Sequence, residues 1–421
     1  MEKEVVSVNI NVNSFANQLL IEQVCQGVIW FDETEGIKVS NPVFSPIADA
    51  MKDLSDYDSH EAVFIKYDEE TNCMFFIFVH NTIRGQAQGG TRMRPYATIE
   101  ELLQDGLRLS RAMTEKNAVA ELWWGGGKAI ICPLDELNTI TGEKRTLVFK
   151  NYGRFVASLN GIYIAAEDMN TTPQDMLQIL SACRFVTCLP PDVGGSSNPS
   201  IWTARGIFNA ILATLQFYEG SKELKGKTIG IQGVGNVGMN LAKSLLDAGA
   251  NIVAYDINKQ ACEAIKGYST RVKILEEDGD IYHEKMDIFS PCAGGAIINA
   301  DTIPQLQATY VIGAANNQLE SPKDDANALA DRGIVYLPDY FINRMGIINC
   351  ANEQYGWLKN DLEVAMKAIY VDTLRLLTEA SKKNVMPIEI STKEASEKAK
   401  KAHPIWGHRG KLLLKEIIRN Y

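Results

Sequence analysis

Residues 233–238, Gly233-Val-Gly235-Asn236-Val237-Gly238, follow the short apolar run Thr228-Ile-Gly-Ile-Gln232. Gly233 permits a tight turn, Gly235 lets backbone come close to a phosphate, and Gly238 lets the next helix pack against the strand. The first turn of that helix offers unpaired N–H groups and a partial positive charge to an anion. A helical run to Gly249 leads into Asn251-Ile-Val-Ala-Tyr-Asp256, a second strand ending in an acid. Glycine turns of this spacing occur in many α/β proteins. With both strands, the helix and the acid in order, the segment reads as a dinucleotide site. Asp256 falls where a carboxylate accepts hydrogen bonds from the adenosine ribose hydroxyls, and it would repel a 2′-phosphate, so NAD is favoured over NADP.

A nucleotide site does not name a reaction, and three groups upstream could supply one. Lys116 sits in Met113-Thr-Glu-Lys116-Asn, Lys128 ends Trp-Trp-Gly125-Gly126-Gly127-Lys128, and Asp168 ends Ala166-Glu-Asp168. The glycine triplet reads as a loop without side chains, which lets backbone and ligand approach closely. A lysine entering an apolar strand from such a loop is expected to lose water. Desolvation and a neighbouring cation such as Lys116 would both lower its pKa, and a lysine amine near neutrality serves as a general base. The plainer reading is that each is a solvated loop charge, and spacing alone does not choose between the two.

These residues need elements to hold them. Ala62–Tyr67 and Cys73–Val79, separated by Asp68-Glu-Glu-Thr-Asn, read as a hairpin. Thr98–Ala118 has helical spacing, with Leu102, Leu103, Leu107, Leu109 and Met113 as the apolar stripe and a capping-box pattern at Thr98 and Glu101. A strand is expected at Lys128–Cys132, a helix over about 141–159 and a strand at Gly161–Ile164. The turn-rich stretch Leu189–Ser200 is the expected domain junction. A helix at Thr203–Tyr218 and alternating strands and helices follow to about Asn349. Two long helices, Glu353–Lys383 with a break and Ile388–Ala402, close the chain. Val5–Val12 and Gly27–Phe31 are β-prone. This alternation points to α/β layers with a largely parallel sheet in the nucleotide half.

The 421 residues suffice for two domains. A formal net charge of −10 argues against non-specific nucleic-acid binding and against an anionic membrane surface. No run of about 18 apolar residues suggests a membrane span. Met1-Glu-Lys-Glu-Val-Val has no secretory character. The eight cysteines form no CxxC pair and the five histidines no ligand spacing, so reduced thiols, a cytoplasmic protein and no metal site are expected.

Taken together, Gly85-Gln-Ala-Gln88-Gly89-Gly90-Thr-Arg92-Met, the Lys116 and Gly125–Lys128 motifs, Ala166-Glu-Asp168 and Trp202-Thr203-Ala-Arg-Gly206 resemble the glutamate/leucine/phenylalanine/valine dehydrogenases. The GVGNVG turn, Pro291-Cys-Ala-Gly-Gly, Ala315-Asn316-Asn317-Gln-Leu and Pro338-Asp-Tyr-Phe-Ile-Asn343 continue the likeness, which is strongest to the leucine dehydrogenase branch. It runs in order from about Ala62 to Gly356, leaves the chain before Ala62 uncovered and fits the chain beyond Gly356 loosely.

The resemblance implies an α/β fold of two domains flanking a cleft. Residues 1–190 would form the substrate-binding and oligomerisation domain, with 353–421 packing back on it, and 196–352 a Rossmann-type doubly wound NAD domain. It implies that Lys116 holds the substrate α-carboxylate, Lys128 activates the water that attacks the imino carbon, and Asp168 shuttles protons to the departing ammonia. Gly89 and Asn317 would also meet the substrate. Thr203, Gly233, Gly235, Asn236, Val237, Gly238, Asp256, Ala315, Asn316 and Asn343 would meet NAD. The three asparagines are alternatively turn formers.

Gln88, Met113, Ala166, Ile347 and Cys350 match the side-chain pocket. Gln88 stands where glutamate dehydrogenases carry a lysine and the leucine branch a leucine. A neutral amide cannot pair a γ-carboxylate as lysine does, so glutamate is disfavoured. Beside an isobutyl group an unsatisfied amide would cost about 1–3 kcal/mol. Either Gln88 has a protein or water partner, or the substrate carries something polar, such as an indole N–H. Arg344-Met345 departs from a small pair; Arg344 would narrow the site or point to solvent.

The implied activity is NAD-dependent oxidative deamination of an apolar L-amino acid, leucine-, valine- or isoleucine-like, to the 2-oxo acid and ammonium, and the reverse. Phenylalanine or tryptophan dehydrogenase is the enzymatic alternative, and a catalytically silent NAD-binding regulatory protein the other. The resemblance also implies a homo-oligomer, octamer or dimer.

Overall fold

The computed structural model describes residues 10–356 and 358–421, and the chain clusters into two compact units. One runs to Asn198 and takes in Ser396–Tyr421, and the other is Pro199–Ala395. Among the described residues no helix is long and apolar enough to cross a membrane.

The first unit is built on a seven-stranded mixed sheet. Its strands are β1 (Gln26–Asp32), β2 (Gly36–Val39), β3 (Ala62–Asp68), β4 (Cys73–Asn81), β5 (Ala87–Met93), β6 (Gly125–Pro133) and β7 (Tyr163–Glu167), in the order β2-β1-β3-β4-β6-β5-β7. β3 and β4 form the expected hairpin, with Asn72 at positive φ in its turn. β6 lies between antiparallel β4 and parallel β5, so both its edges are paired and it is buried throughout.

Helices α1 (Val12–Ile21), α2 (Ser45–Asp53) and α3 (Ile99–Val119) share one core with Ile65, Phe76, Phe78 and Ile130. α4 (Gly142–Ser158) lies across Phe75 through Tyr152 and Phe155. α5 (Pro173–Leu180) starts at a capping box of Thr172 and Asp175.

The early chain differs from the β-prone reading of Val5–Val12. Val12 opens α1 behind the cap of Asn11, and residues 5–9 lie outside the described residues. In α3 Leu102, Leu103 and Leu107 are buried, whereas Leu109 and Met113 are only half-buried.

The second unit carries six parallel strands: β8 (Thr228–Gln232), β9 (Asn251–Tyr255), β10 (Val272–Ile274), β11 (Met286–Pro291), β12 (Ala308–Val311) and β13 (Val335–Tyr336). Their order, β10-β9-β8-β11-β12-β13, reverses direction between β8 and β11, the topological switch point of a doubly wound sheet. α6 (Ser200–Glu219) precedes the sheet and α7 (Asn236–Asp247) follows β8.

The C-terminal stretch divides differently from the expectation that 353–421 joins the first domain. The helix Lys359–Lys383 clusters with the second unit, where it buries Leu362, Ile369, Leu376 and Leu377 and is further tied by ion pairs. Glu363 takes both nitrogens of Arg205 at 2.8 and 2.9 Å, and Asp372 pairs with Arg344. Only the segment from Ser396 clusters with the first unit, where the helix Arg409–Ile418 is followed by Tyr421, whose ring lies beside that of Phe64.

Candidate active site

Strand register places the candidate reacting groups on one face of the first sheet. Side chains directly opposite in neighbouring parallel strands, and alternate residues along each strand, point to the same side. Gln88 pairs with Gly126 and with Ile164, and Gly90 pairs with Ala166. Gln88, Gly90 and Arg92 therefore share a face with Lys128 and Ala166. α3 covers that face, since a Cβ at its Gly106 would strike the ring of Phe78, the β4 partner of Lys128.

The glycine triplet is not the loop expected from sequence. Gly125, Gly126 and Gly127 are strand residues of β6. They are glycines because neighbours crowd them: a Cβ at 126 would lie 2.0 Å from Thr114 Oγ1, and one at 125 would lie 2.0 Å from the Asn81 carbonyl. Asn117 donates to the Gly125 carbonyl at 2.6 Å and fixes the last turns of α3 against the strand. Met113 and Lys116, three residues apart on α3, share a flank beside that contact and are half-buried. Gly89 serves the same close packing, as its Cβ would fall 1.7 Å from the Gly127 carbonyl.

Lys128 is 5% exposed, and its amine forms an ion pair with Asp168, which follows directly on β7. Asp168 packs where a Cβ at Gly90 would be, 2.7 Å away. Burial pushes the Lys128 amine below the lysine range, with Arg92 reinforcing and Asp168 opposing. For Asp168, burial alone would raise the carboxyl. The Lys128 ammonium and the Arg92 guanidinium outweigh it and hold the group below the usual carboxylate range. The pair is thus an ionised acid beside an amine that gives up its proton more readily than a solvated lysine.

Arg92 is a second cation beside the pair, one that the sequence reading does not single out. Arg92 Nε lies 3.4 Å from Asp168 and its NH1 donates to Asp105 of α3 at 2.6 Å. Period-two alternation from Gln88 through Gly90 could have revealed it. Glu167 was also not singled out. Burial raises its carboxyl to about 7, Asn198 donates to Oε1 at 3.1 Å, and Oε2 is buried without a partner.

The candidate cofactor residues all belong to the second unit: the Gly233–Gly238 turn and Asp256 follow β8 and β9, Ala315 and Asn316 follow β12, Thr203 lies on α6, and Asn343 follows the helix Asp339–Ile342. Gly233 adopts φ +99, and a Cβ there would lie 2.6 Å from that of Ala293. A Cβ at Gly238 would sit 1.9 Å from the Gly233 carbonyl, so the turn folds back on the helix start. Gly235 differs: nothing lies within 4 Å of its would-be Cβ, and it opens α7 with no side-chain cap. An open, uncapped helix start with exposed Asn236 and half-buried Val237 fits a pyrophosphate. Asp256 directly follows β9 and accepts from the backbone N–H of Val234 and of Asn258, each at 2.7 Å. One bond on each oxygen leaves both able to accept from ribose hydroxyls.

Asn343 donates to the Ala314 carbonyl at 3.1 Å and to Asn316 Oδ1 at 3.0 Å, while its own Oδ1 is buried without a partner, beside the segment that holds Ala315. Thr203 bonds its own helix start through the Pro199 carbonyl. Asn317 has φ +52 and its carbonyl accepts from Ala296 N at 2.7 Å, which is a turn-forming role. Ile347 and Cys350 are buried three residues apart on the helix Met345–Asn352.

Arg344 does not point to solvent. It is 4% exposed, donates to the Phe341 carbonyl and lies over the Phe341 ring. Met345 fills the space beside Gly206.

Comparison with known proteins identifies the family. The Glu/Leu/Phe/Val dehydrogenase dimerisation domain matches residues 62–184, and the Glutamate/Leucine/Phenylalanine/Valine dehydrogenase domain matches 194–258 and 255–403. Leucine dehydrogenase of Bacillus subtilis is 40% identical over 82% of this chain and 93% of its own. Phenylalanine dehydrogenase of Lysinibacillus sphaericus is 39% identical over 80% and 88%. The crystal structure of L-tryptophan dehydrogenase from Nostoc punctiforme superposes with a TM-score of 0.65 at 34% identity, covering 85% of this chain and 98% of that one. The chain therefore belongs to the Glu/Leu/Phe/Val dehydrogenase family and is an amino-acid dehydrogenase, an oxidoreductase acting on the CH–NH2 group with a nicotinamide dinucleotide as cofactor.

Proposed function

We propose that the protein oxidises an apolar L-amino acid with NAD⁺ and water to the 2-oxo acid, ammonium, NADH and a proton, and runs the reverse reductive amination. The observation that carries this is the buried Lys128–Asp168 pair on the sheet face shared with Gln88 and Ala166. NAD supplies the acceptor for the hydride that leaves Cα.

Lys116 holds the substrate α-carboxylate, which fixes Cα in one orientation and turns part of the barrier into binding already achieved. Lys128, in its unprotonated form, takes a proton from the water that attacks the imino carbon. Asp168, kept ionised by Lys128 and Arg92, accepts and passes on the proton that accompanies ammonia. Gly89 brings the backbone of β5 against Lys128, and Asn317 completes the polar contacts to the substrate.

In the second unit the turn Gly233–Gly238 carries the pyrophosphate. Asp256 receives the ribose hydroxyls, favouring NAD over NADP. Thr203, Ala315, Asn316 and Asn343 meet the nicotinamide end.

The substrate side chain is apolar. Gln88, Met113, Ala166, Ile347 and Cys350 carry no formal charge at neutral pH, so none pairs with a γ-carboxylate. Relatives named for leucine, phenylalanine and tryptophan support the same class. Incubating the protein with NAD and a panel of L-amino acids is expected to give NADH with apolar members and little with glutamate. Binding of NAD with no NADH from any of them would leave the silent regulatory protein as the reading.

A further inference from the structure

β7 ends at Glu167, Asp168 comes next, and the ladder to β5 is irregular at that point. Thr91 stands opposite Glu167, while Ala87, opposite Tyr163, donates to the Ile162 carbonyl. Continued along parallel strands, that pattern would send the Asp168 N–H to the Thr91 carbonyl and the Met93 N–H to the Asp168 carbonyl. Instead the Asp168 N–H donates to Thr171 Oγ1 at 2.8 Å, and the Met93 N–H to the Met169 carbonyl at 3.1 Å. One extra residue is thus fitted in on the β7 side, a bulge that contains Asp168. Bulges beside a site re-aim a side chain.

Thr171 is 6% exposed, and its hydroxyl fills the gap that the bulge opens. Its own hydrogen meets the Thr91 carbonyl at 3.1 Å and the Asp168 carbonyl at 2.9 Å. The Thr171 N–H closes the turn onto the Asp168 carbonyl, and Asn170, at φ +60, donates to the Met93 carbonyl at 3.0 Å. We propose that Thr171 is a positioning residue: its hydroxyl, set between the Asp168 N–H and the Thr91 carbonyl, holds the bulge that presents the Asp168 carboxylate to Lys128. This deepens the function proposed above and rests on it. Without the hydroxyl, those two backbone groups close on each other or lose a partner, and either result moves the carboxylate.

The charges around the Lys128 amine are Asp168 after β7, Arg92 on β5 and Asp105 on α3. Asp168 favours the ammonium form, so displacing it lets the amine lose its proton at lower pH. The test is steady-state kinetics across pH with NAD and an apolar L-amino acid, on the full chain as wild type, Thr171→Val, Thr171→Ser and Thr171→Ala. Thr171→Val keeps the shape and removes the hydroxyl. It is expected to lower kcat by about 10- to 100-fold, the scale of a misplacement of about 1 Å, and to move the alkaline rise of kcat to lower pH. NAD affinity is expected to stay at the wild-type value. Thr171→Ser is expected to restore both readouts. Serine and alanine differ only by the hydroxyl oxygen, so that pair decides the case if Thr171→Val does not fold.

A wild-type kcat and pH rise in Thr171→Val would overturn the inference. So would a fall in kcat with the pH rise left in place, which is what general loosening produces, or equal losses in Thr171→Ser and Thr171→Ala. These outcomes leave the proposed reaction standing. Wild-type protein inactive on every amino acid removes that reaction, and this inference with it.

Discussion

Lys128→Met is expected to lower kcat by about 100- to 10,000-fold, the range a positioned general base contributes, while NAD affinity stays at the wild-type value. Lys128 is not among the residues proposed to hold the nucleotide, and it belongs to the first unit while the glycine turn belongs to the second. The base is the unprotonated amine, so the wild-type rate rises as pH climbs through the Lys128 pKa. Burial and Arg92 move that rise below the range of a solvated lysine, and the Asp168 charge limits how far. The variant should lose this alkaline limb altogether, which a merely structural residue would not do.

Methionine also removes one of two cations from Asp168 and leaves Arg92 at 3.4 Å to hold it. A thermal melt separates loss of catalysis from loss of fold. Retention of most of kcat, with an unchanged pH profile in a folded variant, would refute the assignment of Lys128 as the base.

Gly235→Val is expected to weaken NAD binding by roughly 10- to 100-fold, equivalent to about 1–3 kcal/mol, with the melting temperature of the protein alone unchanged. The backbone there, φ −69 and ψ −159, suits any residue, and no atom lies within 4 Å of the new Cβ. The free protein thus tolerates the side chain, and only a phosphate seated in the open helix start meets it. Gly238→Ala is the contrast. Its methyl would fall 1.9 Å from the Gly233 carbonyl, so it should cost the fold itself about 1–3 kcal/mol along with NAD affinity. Calorimetric titration with NAD and a melt of each variant distinguish the two. Full NAD affinity in Gly235→Val would remove the glycine turn from the cofactor site.

The nucleotide unit was readable because its signal is local. Strand, turn, helix, strand and acid lie in one unbroken stretch from Thr228 to Asp256, and each glycine has a backbone reason visible in the spacing. The catalytic face was only partly readable. Lys128 and Asp168 stand out as types, but their meeting depends on β5, β6 and β7 lying side by side, which no local pattern encodes.

The glycine triplet was misplaced for the same reason. Three glycines normally mark a loop, and here tertiary crowding by Thr114 and Asn81 demands them inside a central strand. Helix Lys359–Lys383 is amphipathic, and its sequence does not say which unit it serves. Burial of Leu362, Ile369 and Leu376, with the ion pairs to Arg205 and Arg344, places it with the second unit, and those contacts exist only in the folded chain. Before Ala62, the Gly27–Phe31 part of β1 was legible as β-prone, whereas β2, four residues long and paired only with β1, carried little signal.

The account stands on amine oxidation by direct loss of hydride from Cα, assisted by Lys128 and Asp168. An L-amino acid substrate labelled with deuterium at Cα measures this most directly. The deuterium is predicted to be recovered in the reduced dinucleotide, with one ammonium released for each dinucleotide reduced. Deuterium found in the solvent, or dinucleotide reduced without ammonium, would contradict it.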